Sequence, residues 1–394
     1  MLRPPTAAPS IRRGSRVFLS GHSAWQSDGT VAGLGDAGAQ AHAALDGIES
    51  ALAGVGGSLR DITKLTTFLV DRDHSKPAYE AIGGRLREGL PVSTNLIVAG
   101  LPSPELMVQI DVEAVIGQTM QRHRTFPMKQ WFGQDIPWQG AMVVTSASEL
   151  FVCGQTGSTL DGSVMAGLGR RPEDAAAQAD LALINLATLL GEAGASLSEV
   201  CKITVYISDR AYRAAVYPVI GRHFRGIHPV STGLIVSGFV RPEILFEIDV
   251  LALRQTGGPH QRFRRYHSDA VRYGLERQAL DCDFCMAVRA GDYVVLRGQT
   301  GADLAEMMHG LGDPVAQAEQ AMQNVGILLQ ETGSTLFDIV KVTVFVTDRA
   351  FLPAVSEVVL RPLQGVVPCF SALVVKGLAS PELLMEVDVT AIVR

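Results

Sequence analysis

The stretch PVSTNLIV at Pro91–Val98 returns as PVSTGLIV at Pro229–Val236, 138 positions further along the chain. The two copies differ at one position, where Asn95 is replaced by Gly233. A looser third copy, PCFSALVV, occupies Pro368–Val375 after another 139 positions. Repetition at a fixed period indicates a duplicated structural unit. The chain is therefore predicted to hold three copies of one domain.

Other motifs keep the same two offsets. They are AQA triplets around Gln40, Gln178 and Gln317, strand-like stretches around Lys64, Lys202 and Lys341, and Asp-Arg pairs that begin at Asp71, Asp209 and Asp348. We therefore predict repeats over residues 1–117, 127–254 and 263–394, with spacers near 118–127 and 255–261. The segment 263–285, which is rich in Arg and Tyr, is expected to wrap the surface.

The order of elements within a repeat follows from hydrophobic periodicity. Leu45 and Ile48 belong to a series at helical spacing, and Asp313 followed by Pro314 is typical of a helix start. Over residues 340–346 valines alternate with Lys, Thr and Phe, which predicts a strand with one aliphatic and one mixed face. Each repeat is thus predicted to be an α+β layer with both helices on one face of the sheet.

The composition is that of a soluble globular protein, since 47% of the 394 residues are hydrophobic and 19% are charged. The 34 basic and 40 acidic side chains leave a formal charge of −6, which argues against nucleic acid or an anionic membrane as a partner. There is no apolar run of about 20 residues and no signal-peptide pattern, so a cytoplasmic location is expected. Five cysteines in so long a chain favour a reducing compartment without disulfides. Small-molecule metabolites are the expected partners.

A sheet covered by helices on one side leaves its other face exposed. Three such sheets bury those faces when they pack against one another around a pseudo-threefold axis, which is the geometry of a trimer built from one chain. The protein is therefore expected to be a monomeric pseudo-trimer or a dimer of such pseudo-trimers.

Several motifs together carry a family resemblance. Each repeat has an early SG or GQTG (Ser20–Gly21, Gly154–Gly157, Gly298–Gly301), then AQA, a K[LIV]TVF-like strand, a P-x-x-[ST] phrase, a Pro-Glu loop and an EID-like strand. In this order and in triplicate, the chain resembles three tandem RidA/YjgF-type domains over nearly its whole length. The resemblance implies α+β, chorismate-mutase-like domains that form a covalent pseudo-trimeric barrel, with ligand clefts between neighbouring domains.

Active RidA/YjgF members are similar in being cofactor-free deaminases that hydrolyse small 2-imino or enamine acids to 2-keto acids and ammonia. In them an arginine two residues after the proline of the repeated phrase clamps the substrate carboxylate. This chain has Ser93, Ser231 and Phe370 at that position, so all three copies lack the arginine. A serine offers one neutral hydrogen bond in place of a fixed charge, which argues against a 2-imino acid as the substrate.

The family's second functional position is a glutamate on the last strand that positions a water molecule. It corresponds to Gln109, Glu247 and Glu386, so the first copy has lost the acid–base group. Residues two apart on a strand share a face, which pairs Glu247 with Asp249 and Glu386 with Asp388. Mutual repulsion and partial burial are expected to raise the pKa of one carboxyl in each pair. Glu247 and Glu386 are therefore the candidate catalytic residues.

The candidate substrate-binding residues lie in the repeated phrase and in the early loop of each repeat. They are Ser93, Asn95, Ser231, His22, Gln155, Thr156 and Gln299. Thr94 and Thr232 face away from the serines by alternation and are expected to satisfy local partners. Asp111, Asp249 and Asp388 recur in every copy and are expected to hold neighbouring domains by salt bridges.

The CDFC stretch at Cys282–Cys285 has metal-like or redox-like spacing, but no second CxxC and no convincing pair of histidines accompanies it. We therefore predict no metal site there. The chain also lacks GxxxxGK[ST], GxGxxG after a strand and HExxH, so no cofactor is implied.

Three functions remain open. The leading hypothesis is a cofactor-free RidA-type hydrolase or deaminase that acts on a small nitrogen-containing metabolite at the inter-repeat clefts, without the family's carboxylate-binding arginine. A non-catalytic small-molecule-binding or sensor scaffold is the alternative, because the clefts differ among the repeats. A chorismatase-like hydrolase or lyase acting on a cyclic acid is the second alternative, since chorismatases are similar in using this kind of fold.

Overall fold

The computed structural model describes residues 9–127, 139–268 and 280–394. Within them the chain forms three units of mixed α+β structure, one for each predicted repeat, and each unit packs two α-helices against its own sheet. Among the described helices, none combines the length and the apolar character needed to cross a membrane.

The three units share their order of elements. The first contains β1 (Ile11–Arg13), β2 (Arg16–Ser23), α1 (Ala37–Gly54), β3 (Ile62–Leu69), α2 (Ser75–Arg85), β4 (Val92–Ile97) and β5 (Val108–Val115). The second contains β6 (Gln121–Pro127), β7 (Gln139–Thr145), β8 (Glu149–Val152), β9 (Gln155–Thr156), α3 (Pro172–Glu192), β10 (Val200–Ile207), α4 (Arg213–His223), β11 (Val230–Ile235), β12 (Gly238–Phe239) and β13 (Phe246–Leu253). The third contains β14 (Gln261–Phe263), β15 (Tyr266–His267), β16 (Asp283–Phe284), β17 (Ala287–Ala290), β18 (Tyr293–Leu296), α5 (Pro314–Glu331), β19 (Ile339–Val346), α6 (Leu352–Leu360), β20 (Cys369–Val374) and β21 (Met385–Ile392).

Short 3-10 turns occur between these elements. They span Leu59–Asp61, Arg72–His74, Leu197–Glu199, Arg210–Tyr212, Leu336–Asp338, Arg349–Phe351 and Arg361–Leu363. Helix α5 begins as predicted, with the Asp313 carboxylate accepting hydrogen bonds from the backbone N–H groups of Val315 and Ala316 and with Pro314 in the first turn.

The repeated phrase forms the last strand that each repeat contributes to one end of its sheet. The last strand of a repeat (β5, β13 or β21) pairs antiparallel with the middle strand (β3, β10 or β19). The middle strand in turn pairs in parallel with the strand of the phrase (β4, β11 or β20). In the first sheet, β12 from the second repeat pairs with the outer side of β4. The phrase is therefore placed where one repeat meets the next.

Two segments predicted to connect or wrap the repeats form strands. Residues 118–127, predicted to be a spacer, contain β6, which pairs antiparallel with β7 at the edge of the second sheet. The segment runs from the first repeat to the second, and its Phe126 packs against the apolar cores of both. In the segment 263–285, β15 and β16 form a two-stranded ribbon, and residues 269–279 lie outside the described ranges.

A β-bulge interrupts the middle strand at the same place in all three repeats. In the third, the register with β21 slips by one residue between Ile339 and Lys341. The alternation predicted over 340–346 is therefore wrong at its start. Ile339 packs under the helices with Val342, whereas Val340 belongs to a different apolar cluster. From Lys341 onward the alternation holds, because Lys341 lines the central cavity together with Thr343 and Phe345 on the face away from the helices.

Three buried ion pairs connect the repeats. They join Lys64 of the first repeat to Asp249 of the second, Lys202 of the second to Asp388 of the third, and Lys341 of the third to Asp111 of the first. All six side chains line a central cavity of about 130 Å³. These contacts agree with the prediction that the three aspartates hold neighbouring domains.

A hydroxyl from the repeated phrase supports each of these aspartates. Thr94 donates to Asp249 at 2.9 Å, Thr232 to Asp388 at 3.1 Å and Ser371 to Asp111 at 2.9 Å. The threonines do face away from the serines, but the partner of each lies in the next repeat, so the expectation of local partners was wrong. An aspartate that accepts from both a lysine and a hydroxyl fixes the approach of two sheets.

The Asp-Arg pairs form a second set of contacts between the repeats. Each aspartate caps a 3-10 turn. Each arginine donates through Nε to a carbonyl of the next repeat: Arg72 to Phe239 at 2.9 Å, Arg210 to Leu378 at 3.0 Å, and Arg349 to Leu101 at 2.9 Å. A Cβ on Gly377 or Gly100 would come within 2.5 Å of a guanidinium nitrogen, which accounts for these glycines.

Short β-bridges complete the contacts between the sheets. Strand β12 pairs with β4, Ile235 bridges Gly377, and Val374 bridges Gly100, so every repeat touches both others in this way. The described strands nevertheless form three main sheets and no single closed one. The pseudo-trimeric barrel predicted from the resemblance therefore stays a prediction.

The ion pairs predict the cost of removing one partner. In Asp249→Asn the buried Lys64 ammonium loses its counter-ion, and we expect the free energy of unfolding to fall by about 3 kcal/mol. The control is Glu80→Gln, which removes the exposed Lys76–Glu80 pair and should change stability by less than about 0.5 kcal/mol. Urea denaturation followed by circular dichroism measures both values. Equal effects of the two variants would contradict a structural role for the buried pair.

Candidate functional site

Two buried glutamates lie where the sheet of one repeat meets the phrase strand of the preceding one. Glu247 on β13 faces the first repeat, and Glu386 on β21 faces the second. They are 5% and 4% exposed. We call these places the Glu247 cleft and the Glu386 cleft. The structure thus puts the two predicted catalytic residues at equivalent inter-repeat positions.

A glycine lies against each carboxyl group. A Cβ on Gly154 would lie 2.9 Å from Cδ of Glu247, and one on Gly298 would lie 2.7 Å from Cδ of Glu386, both closer than carbon atoms normally approach. The backbone N–H of Gly154 donates to the Ser93 carbonyl at 3.1 Å, which ties the loop to the phrase strand of the first repeat. The early glycine therefore leaves the space that the glutamate side chain occupies.

Both glutamates have a raised pKa. Burial is the main cause that raises the pKa of Glu247 to about 8, with repulsion from Asp249 second, while Lys64 opposes the shift. Burial likewise raises the pKa of Glu386 to about 8, reinforced by Asp388. The carboxyl whose pKa is raised is the glutamate of each pair. The aspartate of each pair forms an ion pair with a lysine of the preceding repeat.

The Glu247 cleft collects four of the predicted binding residues, namely Ser93 and Asn95 from the first repeat and Gln155 and Thr156 from the second. The Asn95 backbone N–H donates to the Glu247 carboxyl group, and its side-chain Nδ2 donates to Ser93 Oγ at 3.3 Å. Three polar atoms here are buried without a hydrogen-bond partner among the described residues: Asn95 Oδ1, Gln155 Oε1 and Thr156 Oγ1. Buried polar atoms of this kind favour a bound polar ligand or water.

The Glu386 cleft holds Ser231 and Gln299 from the prediction. Ser231 is half-buried on β11, and Gln299 folds back to donate to the Arg297 carbonyl at 2.6 Å. Two arginines that the sequence analysis did not select also lie here. Arg297 precedes Gly298, and Arg213 extends from α4, and both oppose the rise in the pKa of Glu386.

The third junction, between the third and first repeats, differs in chemistry. Gln109 replaces the glutamate and donates to Ser371 at 2.8 Å. Phe370 and His22 line an open cleft of about 1260 Å³. The Nε2–H of His22 donates to the Pro9 carbonyl at 2.8 Å, and burial lowers the pKa of its imidazole. His22 therefore lies in a different cleft from both candidate catalytic glutamates. It is also distant from them in the sequence.

The two cysteines of CDFC point to separate places. Cys282 Sγ donates to the Tyr217 carbonyl at 2.8 Å, and Cys285 Sγ donates to the His228 carbonyl at 3.0 Å. Burial raises the pKa of each thiol to about 12. In the parts of the chain that the structure describes, no group of three or more His, Cys, Asp or Glu side chains is arranged to hold a metal ion.

A signal for Arg213 was present in the repeats. The positions equivalent to Arg213 are Ser75 and Leu352, at the same offsets of 138 and 139 that relate the other motifs. Asn95 and Gly233, the one difference between the first two phrases, form a second variable position. In the structure these two positions meet, because a Cβ on Gly233 would lie 3.2 Å from Arg213 Nη1.

Comparison with known proteins places the repeats in a family. The model of the endoribonuclease L-PSP family matches three times, at residues 6–116, 137–254 and 277–393. The protein DfrA of Myxococcus xanthus is 34% identical over 105 residues, which cover 27% of this chain and 79% of that protein. A 2-iminobutanoate/2-iminopropanoate deaminase of Mus musculus is 30% identical over 95 residues, covering 24% of this chain and 70% of that protein.

One solved structure is similar over most of the chain. It is a chorismatase, which matches with a TM-score of 0.54 at 15% identity and covers 84% of this chain and 93% of the chorismatase. At this identity the match supports the fold alone. The three family matches, together with the shared order of elements, show that the chain belongs to the endoribonuclease L-PSP family and carries three tandem RidA-like repeats.

Proposed function

We propose that the protein is a RidA-type hydrolase that removes nitrogen as ammonia from a small imine-containing metabolite, at the Glu247 and Glu386 clefts. The observation that carries the proposal is the pair of buried glutamates whose pKa values are raised to about 8. Such a carboxyl group exchanges a proton readily near neutral pH. The imine deaminases among the relatives support the same chemistry at low identity. We also propose that the three repeats act as a covalent pseudo-trimer.

The reaction needs water and one group that moves protons. The ionised glutamate takes a proton from a water molecule while the water oxygen adds to the carbon of the C=N bond. The glutamic acid so formed protonates the nitrogen, which gives a neutral tetrahedral carbinolamine. The carboxylate then takes the hydroxyl proton of this intermediate and delivers it to the amino nitrogen, so that ammonia leaves as the carbonyl forms. Each imine and water thus give one carbonyl compound and one ammonia. The polar atoms of Asn95, Gln155 and Thr156 are suited to orient a substrate or water beside Glu247.

The Glu247→Gln, Glu386→Gln double variant tests this role. Glutamine keeps the shape but cannot accept the proton, so ammonia release from a panel of small imines should fall by about a hundredfold or more, measured above spontaneous hydrolysis in the same buffer. Glu80→Gln is the matched surface control. Undiminished release by the double variant would overturn the proposal. Thermal stabilisation by the imines without any turnover in the unmodified protein would favour a binding scaffold instead.

The pKa values predict the pH dependence of turnover. The proton-accepting form of each glutamate is the ionised one, and burial keeps it protonated until the pH approaches 8. We therefore expect the rate per enzyme to increase with pH and to reach half its maximum near pH 8. Initial rates over pH 6 to 10 measure this. A rate that falls over the same range would show that the protonated carboxyl is the active form.

The same shift predicts a pH-dependent stability. In the unfolded chain a glutamate has a pKa near 4.5, whereas the folded value is about 8. The stability associated with the protonated form is present below pH 4.5 and is lost as the pH rises toward 8. Glutamine resembles the protonated form at every pH. The melting temperature of the double variant, relative to that of the wild type, should therefore increase between pH 5 and pH 8 by at least about 2 °C. A difference that stays constant over this range would contradict the raised pKa.

A further inference from the structure

Arg213 is a buried cation with a neutral partner. It lies on α4 and is 8% exposed. Its Nη1 donates to Tyr217 Oη at 3.1 Å, and its guanidinium carbon lies 4.3 Å from the centre of the Tyr217 ring. Within residues 9–127, 139–268 and 280–394, no carboxylate forms an ion pair with this guanidinium. A buried charge without a counter-ion is costly unless a ligand supplies the opposite charge.

The guanidinium reaches the strand of the repeated phrase. Gly233 has no side chain, and a Cβ there would lie 3.2 Å from Arg213 Nη1 and would overlap with Tyr217 Oη. Residues two apart on a strand share a face, so Arg213 approaches the face of β11 that also carries Ser231. Ser231 stands where the family's deaminases have their arginine. A charge is therefore present on this face, although it comes from a helix and not from the strand.

The opposite side of the same cleft carries the candidate catalytic group. Arg213 is close enough to Glu386 to favour the ionised form of that carboxyl, and Gly298 and Ser231 are joined by a backbone hydrogen bond of 3.3 Å. A small ligand held by Arg213 is therefore placed beside Glu386.

We propose that Arg213 binds a carboxylate of the substrate in the Glu386 cleft and so determines the specificity of that cleft for anionic substrates. A planar guanidinium matches a carboxylate through two parallel hydrogen bonds. The identification of this ligand as a substrate rests on the proposed function. The binding of a carboxylate by Arg213 stands on the geometry alone.

The other two clefts lack this feature. The first repeat has Ser75 at the position of Arg213 and Asn95 at that of Gly233, and the third has Leu352 and Ala372. In the Glu247 cleft the phrase strand thus presents an amide, with Asn95 Oδ1 buried and unpartnered among the described residues. The chain therefore prefers an anionic ligand in the Glu386 cleft and an uncharged polar ligand in the Glu247 cleft.

The test measures binding without turnover. The probes are 2-oxobutanoate and its uncharged counterpart 2-oxobutanamide, titrated into the full-length protein and followed by ligand-observed NMR. We expect Arg213→Gln to weaken binding of 2-oxobutanoate by about tenfold or more and to leave the amide unchanged. Arg213→Lys keeps the charge but loses the planar fork, so its affinity for 2-oxobutanoate should lie between that of the wild type and that of Arg213→Gln. Gly233→Asn should weaken 2-oxobutanoate binding with Arg213 still in the chain, because its side chain needs the same space.

A gain-of-function variant completes the design. Ser75→Arg with Asn95→Gly copies the second repeat into the first, and we expect it to add a second site for 2-oxobutanoate. Melting curves establish that each variant is folded, and if Arg213→Gln is not, Arg213→Lys and Gly233→Asn carry the test. Equal binding of 2-oxobutanoate by the wild type and the folded Arg213 and Gly233 variants would overturn the inference. A different pair of results would separate the two proposals. If the Arg213 and Gly233 variants lose 2-oxobutanoate binding but the Glu247→Gln, Glu386→Gln double variant keeps full turnover, the inference stands and the proposed function is overturned.

Discussion

Three lysines are buried where the three sheets meet, and each must find a carboxylate that its own repeat does not supply. Lys64, Lys202 and Lys341 pair with aspartates of a neighbouring repeat. A lysine left unpaired in this place would be strongly destabilising, so the sheets can approach one another only with these faces together. The positions of the clefts follow, because the repeated phrase and the last strand of the neighbour are brought side by side by the same contacts.

The ion pairs also set the chemistry of the glutamates. Asp249, which pairs with Lys64 and accepts from Thr94, lies two residues from Glu247 on the same face and raises the pKa of that carboxyl, whereas Lys64 lowers it. Burial of Glu247 and the repulsion from Asp249 together raise the pKa of Glu247 to about 8, and burial is the larger cause. The packing that brings two repeats together thus buries a carboxyl at their boundary, and that burial is the main cause of its raised pKa.

The sequence was sufficient for the three units, the order of their elements and the pairing of Glu247 with Asp249, because these depend on periodicity and spacing. It was not sufficient for the bulge before Lys341, since one extra residue in a strand breaks the alternation without changing the residue types. Nor did it identify Arg213, because proximity between a helix residue and Gly233 is a tertiary contact. The two positions differ together between the first and second repeats, and a comparison of the repeats position by position would have paired them.

A single chain permits the difference between clefts that a trimer of identical subunits forbids. In such a trimer an arginine on the helix would appear three times, and each copy of the phrase would need the glycine that makes room for it. Here Arg213 and Gly233 occur in the second repeat, whereas Ser75 and Asn95 occur in the first. The one letter that separates PVSTNLIV from PVSTGLIV is therefore explained by packing: Gly233 leaves the space beside Tyr217 Oη and the Arg213 guanidinium, which a side chain there would crowd. The glycine that makes the two phrases unlike lies beside the arginine that makes the two clefts differ in charge.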